Sequence, residues 1–325
     1  MTNYPEILPN VDGQYHWLVT GAGGFIGSHL TEALLSIGQK VTGLDNFSTG
    51  YRRNIDMAVK ASGHPENFSF TEGSINDSEI CNRVMNGIDY VLHHAAFVSV
   101  PASMRDPAKC FADNALGFVN ILEAARINRV RKVVYATSSA VYGDNDTIPN
   151  VETSTGKPLS PYALTKYINE MCAEFYTRVY GLECTGLRYF NVFGVRQDPK
   201  GAYAAVIPKW INAVRAGNIP VIYGDGKQSR DFCAVQNVVK ANILAAMNPD
   251  SSGRVFNIGC GVETTLNELL AEIYAVFSPG HEVEAVYESP RDGDILHSSA
   301  SIEYAREILK YEPCMYLSDG LEAMK

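Results

Sequence analysis

The sequence predicts an α/β protein: a doubly wound parallel sheet followed by a smaller lobe. Three observations carry this. Short apolar runs suited to buried strands alternate with helical patterns, a glycine-rich turn joins the first strand to the first helix, and small or polar residues gather just past the strand ends. A length of 325 residues leaves room for one large domain and a lesser one. The apolar fraction of 46% and charged fraction of 19% are those of an ordinary globular chain. A net charge of -9 argues against a nucleic-acid groove, which needs basic faces, but not against a phosphorylated small ligand held by backbone amides. No apolar run is long enough to span a bilayer, and Met1 to Tyr15 is polar with two prolines, unlike a signal peptide. The cysteines (Cys81, Cys110, Cys172, Cys184, Cys233, Cys260, Cys314) are scattered singly, the pattern of reduced thiols in a cytoplasmic protein.

Residues 1–14 read as an extension ahead of the fold. Trp17–Thr20 is a short buried strand, Gly21-Ala22-Gly23-Gly24-Phe25-Ile26-Gly27 a turn, and Ser28–Ile37 a helix. Strand, glycine turn and helix form the context of a dinucleotide fingerprint. Gly21 allows the tight turn, Gly24 lets the backbone approach a pyrophosphate, and Gly27 lets helix and strand pack closely, with the helix N-terminus facing the phosphates. The next strand, Lys40–Leu44, ends at Asp45, eighteen residues past Gly27. That is close to the ~20-residue offset expected for a carboxylate on the adenosine ribose. Asp45 repels a 2′-phosphate and so favours NAD over NADP. Arg52 and Arg53 weaken that preference slightly, but they are expected well past the strand end.

Further strands are expected at Phe68–Thr71, Tyr90–His93 and Lys132–Thr137, with helices over Asp77–Met85 and Pro107–Asn128. Ligands of such sheets bind outside the carboxyl ends of the strands. His94-Ala95-Ala96 follows the fourth strand, where small side chains let backbone lie against a cofactor. His93 and His94 are adjacent on a strand and face opposite ways, so packing or hydrogen bonding fits them better than a shared metal. Ser138 and Ser139 follow the fifth strand, either as backbone caps or as partners of a substrate hydroxyl.

Ser160-Pro161-Tyr162-Ala163-Leu164-Thr165-Lys166 reads as a helix start, with serine capping free N–H groups and proline at the first helical position. Lys166 lies one turn above Tyr162 on the same face. An ammonium and a helix N-terminus both favour a phenolate, so the spacing suits a tyrosine exchanging protons near neutral pH. Taken alone, it equally describes an amphipathic helix with an exposed lysine.

Taken in order, Gly21-x-x-Gly24-x-x-Gly27, His94-Ala95-Ala96, Ser138-Ser139-x-Val141-Tyr142-Gly143 and Tyr162-x-x-x-Lys166 resemble the extended short-chain dehydrogenase/reductase family. The resemblance continues through Arg188–Gly194, Gly201–Trp210, Gly224-Asp225-Gly226 and Ser229–Phe232, from about Trp17 to the C-terminus. Within the family it is nearest the UDP-N-acetylglucosamine/UDP-galactose 4-epimerase group. It implies a Rossmann-type NAD domain over residues 1–190. Residues 191–325 then form mainly a smaller C-terminal α/β lobe for a nucleotide sugar, with some segments returning to the first domain.

By the same resemblance, the cofactor contacts are Gly21, Gly24, Phe25, Ile26, Gly27, Asp45, Asn46, Ser48, Gly50, Ala95, Ala96, Tyr162, Lys166 and Tyr189. Ser138, Ser139, Tyr162 and Lys166 are the catalytic set. Ser99, Ser138, Asn191, Ala205, Val206 and Ser298 face the sugar and diphosphate, Tyr223 the uracil, Arg230 and Arg291 the diphosphate, and Asp294 the uridine ribose. Arginine suits a diphosphate because its planar fork makes charge-assisted bonds. Arg230 before Asp231 also reads as a surface ion pair, and Tyr223 as ordinary core. The implied cycle oxidises the sugar at C4, turns the 4-keto sugar over and reduces its other face, with no net redox change. No metal is implied. The helices Pro107–Asn128 and Pro161–Tyr180 resemble those that form a four-helix homodimer interface.

The departures are informative. Ser74, Ala102, Gln236, Leu296 and Ser301 replace residues common in relatives, at positions outside the catalytic set. Ala140 stands where dehydratases and decarboxylases of the family usually carry an acidic residue, and alanine cannot act as their second acid or base. Ser298, at the position where a bulky residue confines relatives to plain hexoses, leaves room for a 2-acetamido group. The expected reaction is therefore interconversion of UDP-GlcNAc and UDP-GalNAc, with UDP-Glc/UDP-Gal as further substrates. The rivals are a UDP-glucuronate 4-epimerase or related nucleotide-sugar enzyme, which needs a cation for the C6 carboxylate, and a non-catalytic NAD-binding protein, which typically lacks the Tyr/Lys pair.

Overall fold

The computed structural model describes residues 3–198, 205–290 and 296–325. Among them, six strands follow in chain order: β1 (His16–Thr20), β2 (Lys40–Asp45), β3 (Phe68–Glu72), β4 (Tyr90–His93), β5 (Lys132–Ser138) and β6 (Glu183–Tyr189). A seventh, Arg254–Ile258, returns from late in the chain to pair with β6. The sheet order is Arg254–Ile258, β6, β5, β4, β1, β2, β3, and every pairing is parallel. The order reverses between β1 and β4, where Thr20 lies opposite His93. A crevice opens at such a switch point, so the residues just past these strands line a ligand site.

Helices cover both faces, which is why the strands are apolar on both sides. One face holds the helix Phe25–Ser36, together with Val238, Val239 and Ile243 from the helix Val235–Met247. The other packs Leu18, Val91, Val133 and Cys184 against Phe118, Ile121 and Leu122 of the helix Gly117–Ile127. A smaller core gathers Phe193, Ile207, Trp210, Ile211, Phe232, Leu269 and Ile273 under the helices Val206–Arg215 and Leu266–Phe277. The latter starts with a reciprocal cap between Thr265 and Glu268. Around this core, Val221–Tyr223 pairs with Val286–Glu288, and Ser229–Arg230 is flanked by Thr264–Thr265 and His297–Ser298.

Two elements differ from expectation. The amino-terminal segment is more than a leader to the fold: a short helix, Tyr4–Ile7, seats Tyr4 against the core at 1% exposure, with its hydroxyl 2.6 Å from His29 Nδ1. A single aromatic anchor in a polar stretch leaves no periodic signal. The run expected as one helix from Pro107 to Asn128 contains a π-helical turn, Ala112–Leu116. That turn carries the buried Asn114, whose amide bonds Thr165 Oγ1 and both the N–H and carbonyl of Phe97.

Candidate active site

The glycine turn is shaped for close approach. Gly21 has φ +71°, and a Cβ there would lie 2.8 Å from the Ala95 nitrogen. A Cβ on Gly27 would lie 2.1 Å from the Gly21 carbonyl oxygen. Gly24 is the N-cap of Phe25–Ser36 and offers no side chain, so no side-chain cap covers the first N–H groups, at Phe25 and Ile26. Asp45 takes the Gly23 N–H on Oδ2 at 2.8 Å and the Phe47 N–H on Oδ1 at 2.7 Å, which draws the end of β2 onto the turn. Asn46 Oδ1 accepts the Ser48 N–H, and a Cβ on Gly50 would lie 2.8 Å from the Gly23 carbonyl carbon. Across the crevice, Thr20 Oγ1 accepts the N–H groups of His94 and Ala95, and Ala96 is half-buried beside them. Bare helix N–H groups, backbone approachable at glycines and a carboxylate at the second strand end together fit a dinucleotide.

Arg52 lies well past the strand end in sequence, but the chain folds back. Its guanidinium lies 5.1 Å from the Phe47 ring centre and 4.5 Å from that of Phe70, and it pairs with Glu72 at 3.7 Å. Tyr189 uses its hydroxyl on His94 Nε2 and Asn242 Nδ2, both at 2.8 Å, and its buried ring stacks on that of His94. His93 Nδ1 meets Thr20 Oγ1 at 2.9 Å on the opposite side of the strand. Burial pushes the His94 imidazole down to about 3 and also lowers that of His93, so both rings are neutral.

Helix Pro161–Tyr180 begins as its sequence implies, with Ser160 Oγ accepting the Ala163 N–H at 3.1 Å. Ser103 Oγ accepts the Tyr162 N–H at 3.2 Å and fixes the first turn. Ser138, the last residue of β5, lies near enough to the Tyr162 hydroxyl to favour its ionised form. Ser139 opens the 3-10 turn Ser139–Tyr142, and the Ala140 N–H donates to Ser138 Oγ. Lys166 is 3% exposed and donates from Nζ to the Ala136 carbonyl at 2.9 Å, with Nζ 5.9 Å from the Tyr162 ring centre. Burial pulls the Lys166 ammonium down to about 8. Burial also raises the Tyr162 phenol above its ordinary range, against the opposing pull of the Ser138 hydroxyl. The depressed tyrosine expected from the spacing is thus not produced by the chain's own groups, because desolvation outweighs them.

Among the residues expected to face a sugar, Ser99 caps the short helix Val100–Arg105 through the Ala102 N–H. Asn191 Nδ2 donates to the Asp231 carbonyl at 3.3 Å. Ala205 precedes Val206 at the N-terminus of Val206–Arg215. Tyr223 lines a cleft of about 730 Å3 with Gln228, Tyr287, Glu288, Pro290 and Leu296. Arg230 and Ser298 lie side by side on paired strands, and Arg230 Nη1 donates to the Ser229 carbonyl at 2.8 Å. Asp231 is buried rather than ion-paired at the surface: its carboxylate takes the N–H groups of Cys260 (2.8 Å) and Gly261 (2.9 Å), and burial raises it to about 6. Arg291 and Asp294 lie outside the described residues.

The model of the NAD dependent epimerase/dehydratase family matches residues 17–259. The chain belongs to that family. Its relatives include UDP-sugar 4-epimerases. A putative UDP-glucose 4-epimerase of Methanocaldococcus jannaschii is 38% identical, over 94% of this chain and 95% of its own. UDP-glucuronate 4-epimerase 4 of Arabidopsis thaliana is 34% identical, over 94% and 73%. A UDP-N-acetylglucosamine 4-epimerase from Methanobrevibacter ruminantium, solved with UDP-N-acetylmuramic acid, superposes with a TM-score of 0.88 at 37% identity, covering 95% of this chain and 98% of that one. The chain is an NAD-dependent enzyme of the UDP-sugar 4-epimerase family.

Several contacts of this epimerase-family site escaped the sequence reading. Gly23, Phe47 and Thr20 act through backbone and hydroxyl bonds that only the folded register creates. Of the departures, Leu296 is 69% exposed at the rim of the Tyr223 cleft and Gln236 is buried. Ser301 donates its N–H to the Asn150 carbonyl, and Ser74 Oγ accepts the Asn76 N–H. Ala102 sits on the helix that Ser99 caps.

Proposed function

We propose that this enzyme interconverts UDP-GlcNAc and UDP-GalNAc by inverting C4 through a 4-keto sugar, and also accepts UDP-Glc/UDP-Gal. The observation that carries this reading is the approach of Ser138 to the Tyr162 hydroxyl at the strand end, beside buried Lys166 held by the Ala136 carbonyl, with alanine at position 140. NAD, when bound, supplies an acceptor for the two electrons leaving C4 and, in its oxidised form, a positive charge. Tyr162, as the phenolate that neighbouring positive charge favours, takes the proton of the sugar 4-hydroxyl, and Ser138 orients that hydroxyl. Lys166 holds its place through the Ala136 carbonyl and presents its ammonium to the nicotinamide ribose. Ser139 offers a second hydroxyl as the sugar turns about its diphosphate link. Ser138 or Tyr162 then returns the proton on the opposite face. With Ala140 alongside, no side chain there supplies the second acid that elimination needs.

The remaining contacts are assigned in the same reading. Phe25, Ile26 and the glycines hold the pyrophosphate, Asp45 the adenosine ribose, and Ala95 and Ala96 the nicotinamide half. Tyr223 holds the uracil, Arg230 the diphosphate, and Ser298 leaves space at the sugar 2-position. Tyr162→Phe tests the chemistry: turnover falls ~100-fold or more while bound NAD is retained. Full turnover in that variant contradicts the assignment.

We also infer a homodimer. Leu164, Met171, Phe175 and Val179 form an exposed apolar stripe along one helix, beside exposed Leu116 and Ile127. Two copies related by a two-fold axis cover both faces with four helices. Phe175→Glu is expected to give monomers in light scattering, and an unchanged mass defeats the dimer. All seven cysteines are unpaired, as suits the reducing cytoplasm in which we place the enzyme.

A further inference from the structure

A continuous line of buried hydrogen bonds joins the proton-transfer end of the site to the strand that carries Ser298. It begins at Thr137, next to Ser138, whose hydroxyl donates to Glu170 Oε1 at 2.7 Å. Glu170 lies one turn beyond Lys166 on the same helix. It receives Arg188 in a two-point pair, Nε to Oε1 at 3.0 Å and Nη2 to Oε2 at 2.7 Å. Arg188 Nη1 then donates to the Tyr142 hydroxyl at 3.0 Å, and that hydroxyl donates to Asn257 Oδ1 at 2.6 Å. Asn257 Nδ2 donates to the carbonyls of Asn150 (2.9 Å) and Ser301 (3.1 Å). Asn150 closes the line, since its backbone N–H donates to the Ser299 carbonyl at 2.9 Å.

Thr137, Tyr142, Glu170, Arg188 and Asn257 are each 8% exposed or less. In such surroundings an unmade hydrogen bond is expensive and a satisfied network has one arrangement. Tyr142 ends the turn that begins at Ser139, so its ring and hydroxyl fix where that turn stops. Asn257 is held at Oδ1, at Nδ2 twice, and at its backbone N–H by Glu152 Oε1 (2.8 Å). Neither side chain is needed for the proton transfers described above.

We propose that Tyr142 and Asn257 are positioning residues that set the Ser138–Ser139 turn at a fixed place relative to the Ser298 strand, and so govern how the oxidised sugar turns over between them. This rests on the epimerase reading. The sugar must show both faces to Tyr162, so the separation of the two walls decides whether reduction follows oxidation. Loosening one wall leaves the first half-reaction intact and strands the second.

Tyr142→Phe keeps the ring and removes only the hydroxyl. With UDP-GlcNAc, kcat is expected to fall about 10- to 100-fold, the size of effect that small misplacements produce, with KM changed less than about threefold. Reduced nicotinamide should accumulate on the enzyme and free 4-keto sugar in solution, signals that a purely structural role would not produce. Thr137→Val, nearly isosteric at the far end of the line, should show the same pattern weakly, and Thr137→Ser should restore wild-type behaviour. If Tyr142→Phe does not fold, the Thr137 pair decides by the same readouts. Wild-type kcat with no stranded cofactor in the folded variants overturns the inference. A wild-type protein that epimerises no UDP-sugar overturns the epimerase reading instead, and this inference with it.

Discussion

Lys166 stands one helical turn above Tyr162 yet turns its ammonium onto the Ala136 carbonyl, 2.9 Å away, and keeps 5.9 Å from the tyrosine ring centre. The lysine is thereby a buried cation held by a backbone oxygen on β5, and burial brings it down to about 8 from an ordinary value of 10.5. The unfolded chain binds this proton more tightly than the folded one. Stability from this group is therefore absent below about pH 8 and gained as pH rises towards 10.5. Lys166→Met removes the penalty, so its stability relative to wild type should be greatest below pH 8. That advantage should shrink by roughly 2–4 kcal/mol by pH 10.5. Urea titrations of both proteins across that range measure it, and a constant difference contradicts the buried cation.

The glycine turn makes a second prediction. A methyl group on Gly27 would sit 2.1 Å from the Gly21 carbonyl oxygen, which is backbone and cannot swing aside. Gly27→Ala should cost about 1–3 kcal/mol of stability, and purified protein should lose most of its NAD. Denaturation midpoint and cofactor content after gel filtration report the two effects. A variant that is stable and fully loaded contradicts the tight packing of helix against turn.

A third prediction concerns the sugar 2-position. Ser298 pairs with Arg230 across neighbouring strands, and its small side chain leaves room for an acetamido group in our reading. Ser298→Tyr should abolish turnover of UDP-GlcNAc while UDP-Glc turnover stays within about threefold of wild type, the smaller side of the range that pocket-size changes produce. Equal loss on both substrates, in paired kinetic assays, refutes the gate.

Much of this was legible in the sequence because local chemistry dictates it. The cap at Ser160 and the strand Tyr90–His93 depend on neighbours in sequence, and they fold as read. What was not legible depends on distant partners. Nothing near Tyr4 announces that its hydroxyl meets His29. Arg188 reads only as the start of the Arg188–Gly194 stretch until the fold places Glu170 and Tyr142 around it. Asp231 follows an arginine and invites an ion pair, whereas backbone N–H groups from near residue 260 claim it. The tyrosine is the instructive case: spacing alone promised a depressed phenol, but the desolvation of half-buried Tyr162 in the fold reverses the sign.

The central claim is that Tyr162 and Ser138 serve a reversible oxidation at C4 of a UDP-N-acetylhexosamine. Proton NMR of UDP-GlcNAc incubated with the purified protein, without added cofactor, tests it most directly, with UDP-GlcA and UDP-Glc as parallel samples. The account predicts that UDP-GalNAc signals grow to a steady ratio with UDP-GlcNAc, since NAD is restored in each cycle. Unchanged UDP-GlcNAc beside inversion of UDP-GlcA alone would contradict it.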